Sequence, residues 1–181
     1  GKTILSIHHY WKYAQDKRLV IVAPAQKVKE GGWDREINNF NKYYGTNINY
    51  KVISYGRLKH VEGNKNTYLI FDECHYIKNY KKSQRSKLAL KLCKASYGFC
   101  LLSATPASNG YQDLGNYMAI FGLYASGYSY EKANAIKKIN YMGFYEIVAW
   151  KNTEYIDKCW KAISSIALNK NDCLDLPDLV F

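Results

Sequence analysis

Asp72 and Glu73 stand side by side at the end of an apolar run, TYLIFDE (67–73). Adjacent carboxylates at the tip of a buried strand suit a Mg2+–nucleotide site. One carboxylate holds the metal, usually through water because Mg2+ dehydrates reluctantly, and the other orients and deprotonates an attacking water. Asp72 is the candidate for the first role and Glu73 for the second. The same pair would also serve as a solvated strand end or a helix cap. Two further segments carry compatible chemistry. The chain begins Gly1-Lys2-Thr3 ahead of a helical segment, which matches the closing residues of a phosphate-binding loop. In such a loop Gly1 would admit backbone amides to the phosphates and Lys2 would reach the β- and γ-phosphates. Thr3 would set its hydroxyl on Mg2+, and the helix N-terminus would add a favourable dipole. In LLSATPASNG (101–110), Ser103 and Thr105 bracket Ala104 after another apolar run. Their hydroxyls would either sense the state of the nucleotide through the carboxylate segment or form a plain Ser/Thr turn.

Positioning these groups requires strands buried on both faces. Four runs qualify: RLVIVAP (18–24), the weaker INYKVISY (48–55), TYLIFDE (67–73) and YGFCLLSAT (97–105). Continuous apolar runs predict strands of a parallel sheet. Helical patterns lie between them, at 3–14, 33–44 and 81–95. Trp33, Ile37 and Phe40 share one face of the second, and Leu88, Ala89, Leu92 and Cys93 one face of the third. Strand alternating with helix predicts an α/β fold with right-handed crossovers, whose ligands bind beyond the carboxyl ends of the strands. Asp72, Glu73, Ser103 and Thr105 all fall at such ends. Beyond residue 110 the pattern changes. Residues 111–139 read as mostly helical, 142–150 as a short hairpin or strand, 153–168 as an amphipathic helix and 172–181 as extended. The expected division is therefore 1–110, the sheet-bearing lobe, and 111–181, a mostly helical extension.

The 181 residues suit one domain of ordinary size, and 48% hydrophobic content allows a packed core. Lys+Arg is 26 against Asp+Glu 15, a net charge of +11 that favours an anionic partner such as nucleic acid or nucleotide. The five cysteines show neither a disulfide framework nor a zinc-ribbon spacing, so reduced thiols in a cytosolic protein are expected. Cys74 and His75 are neighbours on an extended segment and point apart, which argues against a metal site there. No signal peptide or membrane-length apolar run is visible. Gly1 in place of methionine predicts a chain cut from something longer.

The order and spacing of the three motifs carry a resemblance. GKT, then about seventy residues, then DECH, then about thirty, then SAT resembles the first RecA-like lobe of superfamily-two helicases and translocases. VIVAPAQKVKEGGWDREI (20–37), DECHYIKN (72–79) and SATPASNGYQDLGNYMAIFG (103–122) are similar to Swi/Snf-like bacteriophage helicases, as is the stretch from Phe144 to Asp178. Cys74 stands where that family usually has alanine, and Ser-Ala-Thr replaces the Gly-Thr common in chromatin remodellers.

The resemblance implies a RecA-like P-loop lobe that binds ATP and Mg2+ and couples hydrolysis to movement on single- or double-stranded DNA, in the cytoplasm of the host if phage-encoded. Gly1, Lys2 and Thr3 would bind the nucleotide, Thr3 and Asp72 the metal, and Glu73, Asp72 and Lys2 would carry catalysis. His75, Ser103 and Thr105 would couple the nucleotide to the rest of the lobe. Lys27, Lys29, Arg57, Lys59 and Lys78 are the candidate nucleic-acid contacts, sequence-independent and salt-sensitive. Lys87, Lys91 and Lys94 read as a solvated helix face. The family's P-loop is truncated here and its second lobe absent. That lobe supplies arginines worth roughly 10³–10⁵ in rate, so slow hydrolysis by this chain alone is expected. A nucleic-acid-binding module with a degenerate nucleotide site is the alternative. A DEAH-type RNA helicase is disfavoured by the Lys78-Asn79 pair.

Overall fold

The computed structural model describes residues 1–164 and divides the chain into two compact units, Gly1–Ala133 and Asn134–Phe181. In the first, strands β1 (Arg18–Ala23), β2 (Tyr50–Ser54), β3 (Thr67–Asp72) and β4 (Gly98–Leu102) form a parallel sheet in the order β2-β1-β3-β4. The expected α/β class, a parallel sheet flanked by helices, is observed. The central strands β1 and β3 are almost wholly buried, whereas β2 and β4 are edges of intermediate burial. This explains why 48–55 reads as the weaker run.

Alternation along β1 assigns its two faces. Leu19, Ile21 and Ala23 pack with Ile7, Tyr10 and Ala14 of α1 (Lys2–Ala14) and with Trp33, Ile37 and Phe40 of α3 (Gly32–Tyr44). Val20 and Val22 are buried on the opposite side, as are Leu69 and Phe71. The short α2 (Ala25–Lys29) starts directly after Pro24, whose fixed φ suits the residue before a helix. Helix α3 ends at Gly45, which holds the left-handed φ of 64° that a glycine takes without a Cβ penalty. Two 3₁₀ turns, Tyr55–His60 and Cys74–Ile77, follow β2 and β3, and helix α4 (Gln84–Ala95) packs against both.

Helix α5 (Tyr111–Ile120) packs on α4 and, with most of α6 (Gly127–Asn134), belongs to the first unit. The compact division thus falls after Ala133, later than the boundary at residue 110 read from the sequence. Residues 135–139 are not helical as expected. They form β5 (Ala135–Ile139), which pairs antiparallel with β6 (Tyr145–Trp150). The cause is the partner strand: cross-strand pairing across the Asn140–Phe144 turn overrides a local pattern that suits a helix equally well. Helix α7 (Thr153–Ile163) follows and buries Ile156. The rest of the expected helix to 168 and the extended tail at 172–181 lie outside the described residues.

Candidate functional site

The sheet order creates a switch point between β1 and β3. The connection from β1 runs outward to β2, and the chain then returns past β1 to β3. Open parallel sheets bind ligands at the carboxyl edge of such a point. Two segments meet there. Pro24 ends β1 and leads into α2, which carries Lys27, while β3 ends in Asp72 and Glu73.

Lys27 Nζ lies 3.2 Å from Asp72 Oδ2 and 3.0 Å from Glu73 Oε1, so one ammonium bridges both carboxylates. The Trp33 indole N–H donates to Asp72 Oδ2 at 3.1 Å, and the Tyr55 hydroxyl donates to the Asp72 carbonyl at 2.8 Å. The Asp72 side chain is 7% exposed and that of Glu73 22%. Among the described residues Asp72 Oδ1 accepts no hydrogen bond.

Glu73 has φ 54° and ψ 55°, a left-handed conformation that costs an ordinary residue roughly 1–2 kcal/mol. That turn sets its carboxylate beside Lys27 rather than along the strand axis. Burial raises the Glu73 pKa. The Lys27 hydrogen bond and the positive charges of Lys27, Lys2 and His75 outweigh it and hold the carboxyl below its ordinary value. Lys27 is pushed up in turn: burial opposes its charge, but hydrogen bonds to Glu73 and Asp72 and their charges prevail. Lys2 adds a smaller favourable charge at Glu73, behind that of Lys27.

His75 Nδ1 lies 3.4 Å from Glu73 Oε2 and 3.4 Å from Ser103 Oγ. This connects the end of β3 to the end of β4. Ser103 Oγ also accepts the Thr105 backbone N–H at 3.1 Å, so the Ser/Thr turn and the link to His75 coexist on one hydroxyl. Thr105 is exposed and takes part through its backbone. Burial pushes the Cys74 thiol up to about 11, which fits a packed thiol rather than a reactive one.

The candidate nucleic-acid residues do not form one set. Lys27 is engaged by the acids. Lys78 is clasped by Asp113 and Ser108, each at 2.7 Å. Arg57 and Lys59 lie exposed on the first 3₁₀ turn, and Lys29 lies exposed at the end of α2. Arg57 shares a groove with Arg18, Lys51 and His60. Arg85 was not among the sequence candidates. Its guanidinium sits 5.7 Å from the Tyr55 ring centre and 5.6 Å from that of Tyr76, beside Lys59.

A Mg2+ held here would have to keep most of its waters, because the acid pair offers few free oxygens. Among the described residues Asp72 Oδ1 accepts no hydrogen bond and is the oxygen left for a hydrated cation, Thr3 lies in the first turn of α1, and Lys27 already bridges Asp72 Oδ2 and Glu73 Oε1. Among the described residues no three His, Cys, Asp or Glu side chains gather as a protein-only metal cage, so phosphate oxygens would have to complete the coordination. No helix among them is long and apolar enough to cross a membrane. No protein-family model and no curated protein matches the chain.

Proposed function

We propose that the chain is a RecA-like, P-loop-type nucleotide-binding lobe of an ATP-dependent DNA helicase or translocase. The observation that carries this reading is the cluster at the β1/β3 switch point: Asp72 and Glu73 bridged by Lys27, within the field of Lys2 and joined through His75 to Ser103. In this reading bound MgATP would supply the reacting γ-phosphate and a metal charge to offset the charge on it. Lys2 steadies the phosphates from the first turn of α1. Asp72 and Thr3 would hold the metal through its waters. Glu73, kept ionised by its cationic neighbours, takes the proton of the attacking water. His75 and Ser103 transmit any movement of Glu73 to the end of β4.

The alternative, a nucleic-acid-binding module with a degenerate nucleotide site, draws on the same ammonium, because Lys27 neutralises the acids without any metal. Glu73→Gln in a protein carrying both lobes separates the two. ATP hydrolysis is expected to fall at least about 100-fold, with MgATP affinity by calorimetry kept within about threefold. Absence of MgATP binding in the wild-type protein would sink the nucleotide reading and leave the binding module.

A further inference from the structure

The sheet face opposite α1 and α3 holds a basic cavity that the nucleotide site does not explain. Residues paired across a parallel ladder share a face. Pairing of Val20 with Lys51 and of Val22 with Ile53 therefore sets Arg18, Val20, Lys51 and Ile53 on this side. The chain then folds back from the end of β2 through the first 3₁₀ turn. Buried Leu58 anchors that turn, and the Val61 N–H closes it on the Leu58 carbonyl at 3.1 Å. The result is a cavity of about 320 Å³. Buried Val20 and Ile53 form its floor, and the exposed residues Arg18, Lys51, Arg57 and His60 form its rim. Arg18 stands at the start of β1, whereas Pro24 and Lys27 follow its other end.

The charge here has no counterpart. Among the described residues no acid lines the cavity, and none of the four rim side chains makes an ion pair or a hydrogen bond. The nearest acids along the chain are Asp16, which Lys17 holds at 2.6 Å, and Glu62, which lies outside the lining. The setting is basic as well. Residues 134–181 hold six cationic and six anionic side chains, so the net charge of +11 belongs to the first unit. Arginine is scarce in this chain, yet two of its four arginines meet at this one cavity. A guanidinium fork matches phosphate oxygens two at a time, where an ammonium offers a point charge. Unpaired cations around a concave surface concentrate their field on an anion inside it. The volume, at the small end of ligand sites, suits a short run of phosphates.

We propose that this cavity binds a short chain of phosphates, with Arg18 and Arg57 forking its oxygens and Lys51 adding charge. The site goes beyond the nucleotide reading and does not rest on it, so the test omits nucleotide and divalent metal. Calorimetry would follow tripolyphosphate binding to the full-length protein at fixed ionic strength. The double variant Arg18→Gln with Arg57→Gln is expected to weaken binding about tenfold or more. Lys87→Gln with Lys91→Gln removes the same charge from the exposed face of α4 and should change affinity less than about threefold. Lys2→Ala should leave it unchanged. Single-stranded and duplex oligonucleotides then identify the source of the phosphates. Displacement of tripolyphosphate, with oligonucleotide binding lost in the same double variant, assigns them to a nucleic-acid backbone. Absence of displacement assigns them to a free oligophosphate. Either result keeps the site. Failure of the wild type to bind tripolyphosphate overturns the proposal, as do equal losses in the two double variants, which would mean general charge attraction. Loss with Lys2→Ala but not with the arginine variant places the anion at the first residues of the chain and overturns it too.

Discussion

Two lysine–carboxylate clusters of the first unit differ in how fully their acids are engaged. Asp113, near the start of α5, accepts from Lys78 Nζ at 2.7 Å, from the Asn109 backbone N–H at 2.8 Å and from the Ser108 hydroxyl at 3.4 Å. Its side chain is 9% exposed, and no unusual backbone is needed to present it. Glu73 has an ammonium and an imidazole within reach, lies on left-handed backbone, and faces Lys27, whose side chain is 42% exposed. The first arrangement ties a loop to a helix. The second leaves an acid able to change partners. The number of donors that converge on the carboxylate, more than the mere presence of a lysine, separates an acid that staples the fold from one that is less tightly held.

The largest stability effect is expected at the staple. Asp113→Ala strands the partly buried Lys78 ammonium and leaves the Asn109 N–H, on an exposed residue, without its acceptor. It should cost about 3 kcal/mol in urea unfolding, at the low end for a broken buried pair because Lys78 keeps some water. A loss below about 1 kcal/mol would erase the distinction between the clusters.

Lys27→Met probes the other side, through pH. The Glu73 pKa is depressed in the folded state, so its contribution to stability is present at neutral pH and lost as pH falls through the folded value. The Lys27 pKa is raised, so its contribution is complete below the ordinary lysine range and lost as pH climbs above it. Wild type should therefore exceed Lys27→Met in stability by about 1 kcal/mol between roughly pH 5 and 10, and the gap should close below about pH 4. Thermal melts across that range test it. A gap that persists at pH 3 would mean that Lys27 acts by packing its stem, not by its charge.

The two clusters were unequally legible before the structure. Asp72 and Glu73 could be found because a buried parallel strand must present its last residues at one edge, and the apolar run TYLIF marks where that edge begins. Lys27 was legible as a cation near a strand end, but not as the partner of the acids. The two segments are 45 residues apart, and only the strand order β2-β1-β3-β4 makes β1 and β3 neighbours. Strand order depends on long-range packing that no local pattern encodes. Asp113 went unremarked for the same reason, since its partner Lys78 lies 35 residues earlier. At 135–139 the local pattern was itself ambiguous: AIKKI suits one turn of helix or an edge strand, and the choice fell to its pairing with β6.

The smallest effect is expected where the sequence signal was strongest. At position 73 two stability terms oppose each other. The left-handed backbone costs a glutamate roughly 1–2 kcal/mol, while its partly exposed ion pair returns about 0–1 kcal/mol. Glu73→Gly removes both and adds the entropy of a freer unfolded chain, about 0.5–1 kcal/mol. The sum lies near zero, so urea unfolding of Glu73→Gly should stay within about 1 kcal/mol of wild type, while Asp113→Ala loses about three times that. An acid held in strained backbone without net gain in stability is what the proposed role of Glu73 as a base calls for. If Glu73→Gly proves as destabilising as Asp113→Ala, Glu73 is a staple as well, and the strained turn counts against its role as a base.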